Sequence, residues 1–175
     1  MDMSEGSYGV SLLNDCKYGH EAYDNVMRLT LLKGPIFPDP NADEETHFFT
    51  YSLYPHIGTW REAGTIQQAL NLNYPCYTTP VAAPVEAKSW ITCDSDHVTL
   101  EAVKCAEDSQ HLIVRIAEQH NSRQPIQLSF DRPISKAWST NLMETIESEL
   151  PPAGSTLYVN IKPYEVVTLR IELAK

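Results

Sequence analysis

No apolar run in these 175 residues approaches the roughly 20 that a helix needs to cross a bilayer. The opening residues, Met1-Asp2-Met3-Ser4-Glu5-Gly6, are acidic and polar, so neither a secretory signal nor a transit peptide is expected there. Basic side chains are in deficit: 13 Lys and Arg stand against 23 Asp and Glu, a net charge of −10. That balance disfavours nucleic acid and anionic membranes as partners, since both reward a basic face. Cysteine is sparse, and none of Cys16, Cys76, Cys93 and Cys105 stands in a C-x-x-C pair, which argues against structural zinc. With no export signal in view, a cytoplasmic location and buried free thiols are expected rather than two disulfides.

Catalytic signatures are missing as well. The six histidines are scattered without an H-x-x-x-H or H-E-x-x-H pair, so no metal site is expected wholly within this chain. There is no G-x-S-x-G, P-loop or G-x-G-x-x-G. Asp94/Asp96 and Glu107/Asp108 fall in turn signals, where nothing would raise one acid's pKa as an acid/base pair requires. No catalytic residue and no cofactor is assigned to this chain.

What is there is alternation with a period of two, the mark of half-buried strands. Met27/Leu29/Leu31, Phe49/Tyr51/Leu53, Val98/Leu100/Ala102, Leu112/Val114/Ile116 and Ile126/Leu128/Phe130 each share a face. Leu157/Val159/Ile161 and Val167/Leu169/Ile171/Leu173 close the chain, with weaker runs at 88–93 and 136–143. Turn signals separate them at 94–96, 106–109, 120–122, 131–133 and 151–154. Short strands without helical crossovers predict an all-β fold, an antiparallel β-sandwich in one domain over 1–175.

One helix interrupts this pattern. Thr59-Trp60-Arg61-Glu62 has the spacing of a capping box, and Trp60, Ala63, Ile66, Ala69 and Leu70 follow at helical spacing. A short amphipathic helix is expected near 59–72, weakened by Gly64 by about 1 kcal/mol and stopped before Pro75. Pro75–Pro84 is expected to be extended. The acidic, proline-stiffened stretch Pro35–Glu45 lacks the spacing and the glycine of a calcium loop, and reads as solvated.

The segment with most chemical interest is Asn14–Asn25, between Tyr8–Leu13 and Val26–Leu32, which together read as a hairpin-like unit with a polar tip. Asn14, Asp15, Lys17 and Tyr18 supply the amide, carboxylate, ammonium and aromatic face that hold a sugar. The same residues also suit a plain hairpin turn, with Asn14 and Asp15 bonded to their own backbone.

Tyr8–Gly19 and Arg28–Pro35 resemble the C-terminal β region of glycoside hydrolase family 38 α-mannosidases, in particular the cytosolic/vacuolar and bacterial branch. Phe49–His56, Trp60–Gly64, Glu101–Lys104 and Pro163–Val166 extend the resemblance over essentially the whole chain. It implies a hydrolase of terminal α-D-mannosyl residues, a retaining zinc-dependent glycosidase of mannose metabolism. Its nucleophile and zinc ligands would lie on an N-terminal barrel outside these residues. For this chain it implies an inactive C-terminal β-sandwich domain that packs on the enzyme's own catalytic and helical domains. The domain would help complete the carbohydrate-binding cleft and contribute to a homo-oligomer. Asn14, Asp15, Lys17, Tyr18 and Lys33 are the candidates for the cleft rim. Lys33 stands close to where relatives have arginine, a departure because lysine lacks arginine's bidentate fork. A stand-alone mannose-binding, lectin-like module and a purely structural sandwich are the alternatives. A domain of this kind is further expected to expose apolar side chains where its neighbours pack, with Tyr8, Phe37, Tyr74 and Tyr77 as contributors.

Overall fold

A computed structural model describes residues 1–174 as two compact units, Met1–Pro80 and Val81–Lys175. Both are built from antiparallel strands, and the chain is mostly β with one α-helix among the described residues.

The second unit is a two-layer sandwich. Strands β6 (Ile91–Cys93), β7 (Val98–Cys105), β8 (Leu112–Glu118), β9 (Gln124–Phe130), β10 (Ile134–Thr140), β11 (Ile146–Leu150), β12 (Thr156–Ile161) and β13 (Val166–Leu173) form it. One sheet runs β11-β10-β13-β8-β7 and the other β12-β9-β6. The alternation seen in the sequence supplies the core. Val114 and Ile116 of β8 and Leu169 and Ile171 of β13 face Ile126, Leu128 and Phe130 of β9 and Leu157, Val159 and Ile161 of β12. At about 25 cal/mol per Å² of apolar surface, this cluster is the main source of the unit's stability.

In the first unit, β1 (Asp2–Glu5), β2 (Tyr8–Asn14) and β5 (Tyr51–Ile57) form one sheet with β2 in the middle, and β3 (His20–Tyr23) pairs with β4 (Val26–Leu29) as a separate hairpin. Helix α1 (Thr65–Asn73) lies against β2. Beneath it, Ser11 Oγ sits 2.7 Å from Asp2 Oδ2 and 2.8 Å from Thr65 Oγ1, and His56 Nε2 lies 2.7 Å from the same Asp2 oxygen. Gly9 is required here, because a Cβ on it would meet His56 Cε1 at 2.4 Å and Ser4 Oγ at 2.7 Å.

Three expectations are corrected. The segment after Asn14 is not the open tip of a hairpin between Tyr8–Leu13 and Val26–Leu32. β2 pairs with β1 and β5 instead, and His20–Tyr23 within the supposed loop is itself a strand of the second hairpin. The helix begins at Thr65 rather than near Thr59. The capping box does form: Thr59 N donates to Glu62 Oε2 at 2.8 Å and Glu62 N to Thr59 Oγ1 at 3.4 Å. It closes an isolated turn, because Gly64 takes a φ of 62° and breaks that turn from α1. The thiols are free as expected but not buried: Cys16, Cys76 and Cys105 are exposed and Cys93 is half-buried.

Candidate functional site

The predicted rim residues cluster where β2 ends. Asn14, the last residue of β2, folds its side chain back on its own turn: Oδ1 accepts from Lys17 N at 2.5 Å and from Cys16 N at 3.2 Å. Its Nδ2 is 3.0 Å from His20 Nε2, which ties the turn to β3. Asp15 reaches the strand beside it. Both carboxylate oxygens accept from Thr50 N, at 2.9 and 3.0 Å, and Asp15 N donates to Thr50 O at 3.2 Å. These hydrogen bonds to Thr50 hold the Asp15 carboxyl below its ordinary range.

The plain-turn reading therefore describes Asn14, whereas Asp15 bonds Thr50 on the neighbouring segment rather than its own turn. Lys17 Nζ stands 4.8 Å from the centroid of the Phe49 ring, a cation–π contact that fixes the ammonium at the surface. Tyr18 is 92% exposed. Four of the five candidates thus lie together on one turn, Asn14 and Asp15 held by hydrogen bonds, Lys17 against the Phe49 ring and Tyr18 exposed. Lys33 lies apart in sequence, on an exposed stretch beyond β4. Its backbone neighbour Gly34 donates to Asp43 Oδ2 at 2.9 Å, and Asp43 is held ionised chiefly by that bond.

Sequence reasoning missed three polar clusters. Glu118, 2% exposed, accepts from His120 N (2.8 Å), Ser122 N (3.1 Å), Ser122 Oγ (2.8 Å) and Tyr164 N (2.8 Å). Burial opposes its charge, but these four donors win and lower its pKa to about 2. A carboxylate so saturated cannot work as an acid near neutrality; it clamps two turns. Arg170 makes a fork to Asp108, at 2.7 and 3.2 Å, and also reaches His111 Nδ1 and Ser109 Oγ, so Asp108 is not an idle turn acid. The third cluster is the Asp2–Ser11–His56 group under α1. There the histidine and the serine both point at the aspartate rather than at each other, so no nucleophile–base pair exists. Glu118, His56 and Arg170 stand out in the sequence as polar groups within otherwise apolar strands, while Asp2 and Asp108 lie in polar stretches that give no signal. Among the described residues no group of three or more His, Cys, Asp or Glu side chains could hold a metal.

Comparison with known proteins assigns the architecture. Residues 97–169 match the model of the glycosyl hydrolases family 38 C-terminal beta sandwich domain, and residues 1–41 match that of the family 38 C-terminal domain. The class is thus a C-terminal β domain of glycosidases. The chain belongs to glycosyl hydrolase family 38, as a C-terminal domain of its α-mannosidases. It is 38% identical over 184 residues to alpha-mannosidase 2C1 of Homo sapiens, covering 99% of this chain and 17% of that protein. The alpha-mannosidase of Saccharomyces cerevisiae is 29% identical, with 97% and 18% covered. Two solved structures from Enterococcus faecalis share the fold. One is a family 38 protein (TM-score 0.73, 22% identity, 98% of this chain and 22% of that one). The other is an alpha-mannosidase (TM-score 0.75, 24% identity, 98% and 20%). The chain spans about a sixth of the length of the curated relatives it matches.

Proposed function

We propose that this chain is the non-catalytic C-terminal domain of an α-mannosidase, its two units acting as one domain in the complete enzyme. It packs on the enzyme's own catalytic and helical domains and completes the mannoside cleft with the turn Asn14–Tyr18 and with Lys33. The observation that carries the reading is the match of 97–99% of the chain to α-mannosidases several times its length. The site chemistry fits a supporting role. Asn14 spends its hydrogen bonds on the turn and Asp15 on Thr50 beside it, which holds Tyr18 and Lys17 outward on a rigid scaffold. The donor sets here do not suit the zinc ion that the family implies, so its ligands would lie on the rest of the polypeptide. Three exposed free thiols suit a reducing, cytoplasmic compartment.

The test uses the complete enzyme. Tyr18→Ala and Lys33→Ala are each expected to lower kcat/KM on an α-mannobioside about three- to tenfold, on the order of 1 kcal/mol of transition-state binding. Asn14→Ala, which loosens the turn, should act in the same direction. Unchanged kinetics in all three variants would leave a purely structural sandwich. The chain by itself is expected to release no aryl group from an aryl α-mannoside and to give no heat with mannobiose. Sub-millimolar binding would favour a lectin-like module.

A further inference from the structure

The sheet β1-β2-β5 has two unlike faces. One carries Ser11, Leu13, Tyr54 and His56 and is covered by α1 and the turn before it: Tyr54 Oη donates to Ala63 O of that turn, and Ser11 meets Thr65 of the helix. The register places Tyr8 opposite Ile57, Val10 opposite Pro55, Leu12 opposite Leu53 and Asn14 opposite Tyr51, all on the other face. That second face is apolar, and along β5 it is bare: Tyr51 is 56%, Leu53 64% and Ile57 83% exposed. Leu12 on the same face is covered, at 7% exposed, so the bare part is the β5 half, where alternation would normally put such side chains inward against a further layer.

The first unit is correspondingly short of core. Its buried apolar side chains are Leu12 and Leu13, each 7% exposed, whereas every member of the principal core cluster lies in the second unit.

We propose that the Tyr8–Tyr51–Leu53–Ile57 face is the surface on which the remaining part of the same polypeptide docks. This rests on the reading of the chain as one domain of a longer α-mannosidase. The occupant follows from length and position. Relatives are about six times as long, so most of the polypeptide is available to cover the face. The face also runs directly into the candidate rim: its last rung is Asn14–Tyr51, and the next backbone pair is Asp15–Thr50. Whatever covers Tyr51 therefore lies beside the turn that presents Tyr18. A catalytic body docked there places this turn at the seam where a cleft would be closed.

Hydroxyl-radical footprinting of the complete enzyme, read peptide by peptide, tests the cover. Tyr51, Leu53 and Ile57 are expected to oxidise at least fivefold more slowly than in the same protein unfolded in guanidinium; Tyr18, on the rim, is expected to remain reactive. Photocrosslinking from p-benzoylphenylalanine in place of Ile57 identifies the occupant. Crosslinks within one polypeptide, to residues preceding this domain, are expected. Rapid oxidation of all three side chains would overturn the proposal, and so would crosslinks that join two copies. Hydrolysis of an aryl α-mannoside by the same unmodified enzyme reads the family assignment separately. Activity without protection would remove the docking face alone.

Discussion

Glu118 shows what single residues do in this fold. An acid on a core strand would ordinarily be disfavoured, yet four donors from two turns converge on this one and hold it ionised. Its pKa of about 2 in the folded chain lies below the ordinary 4.5. The unfolded chain therefore binds a proton first as pH falls. The stabilisation is complete above pH 4.5 and is lost as pH drops toward 2, and it amounts to about 3 kcal/mol. Glu118→Gln should lower the melting stability of the second unit by ~2–4 kcal/mol at pH 7 and flatten its loss of stability below pH 4.5, checked by calorimetry across that range. None of this was legible in the sequence, since the partners come from 4 and 46 residues away. The rim residues were half legible. Residue types on one short stretch marked Asn14, Asp15, Lys17 and Tyr18, but which of them would be consumed in holding the turn depended on strand β5 passing alongside.

At the scale of elements, the well-read segments are those that bury a full face. β9 and β12 alternate cleanly because one face of each is packed into the sandwich, while β8 and β13, in the middle of the five-stranded sheet, bury residues on both faces. β11 and β1 escaped notice because they are edge strands, IESEL and DMSE, that bury little and so have no reason to alternate. The helix was read too long at its start, because a capping box signals a turn but cannot tell whether the next residue continues it. Gly64 answers that with a left-handed φ of 62°. Gly64→Ala is expected to destabilise the first unit by about 1 kcal/mol through strain at that φ, seen as a lower midpoint in urea. In an ordinary helix interior the same change would stabilise, so the sign of the effect separates the two geometries.

For the molecule as a whole, the division of the core is the governing fact. The second unit holds a continuous cluster from Val98 to Ile171, and the first unit relies on two buried leucines and a polar network. Scanning calorimetry of the chain should show two transitions, with the first unit melting at the lower temperature. The exposed segment from Pro75 to Val85, which has almost no hydrogen-bonded structure, should be the first site of cleavage by a nonspecific protease. A single sharp transition would mean that the units share stability. The expected exposure of Tyr8, Phe37, Tyr74 and Tyr77 is found. Composition could announce such a surface; which face it occupied required the register of β2 against β5.

The five-stranded sheet ends in two open borders, β7 and β11. Both are studded with charge: Glu101 and Lys104 on one, Glu147 and Glu149 on the other. The ladder of β7 also slips between Leu100 and Ala102, and that of β10 slips beside β11 between Ser139 and Thr140. Bent, charged margins make poor templates for recruiting another strand. A β-rich polypeptide crowded with its own kind meets a poor template at either border, and on β11 the chain's excess of acid is placed where polymerisation would begin.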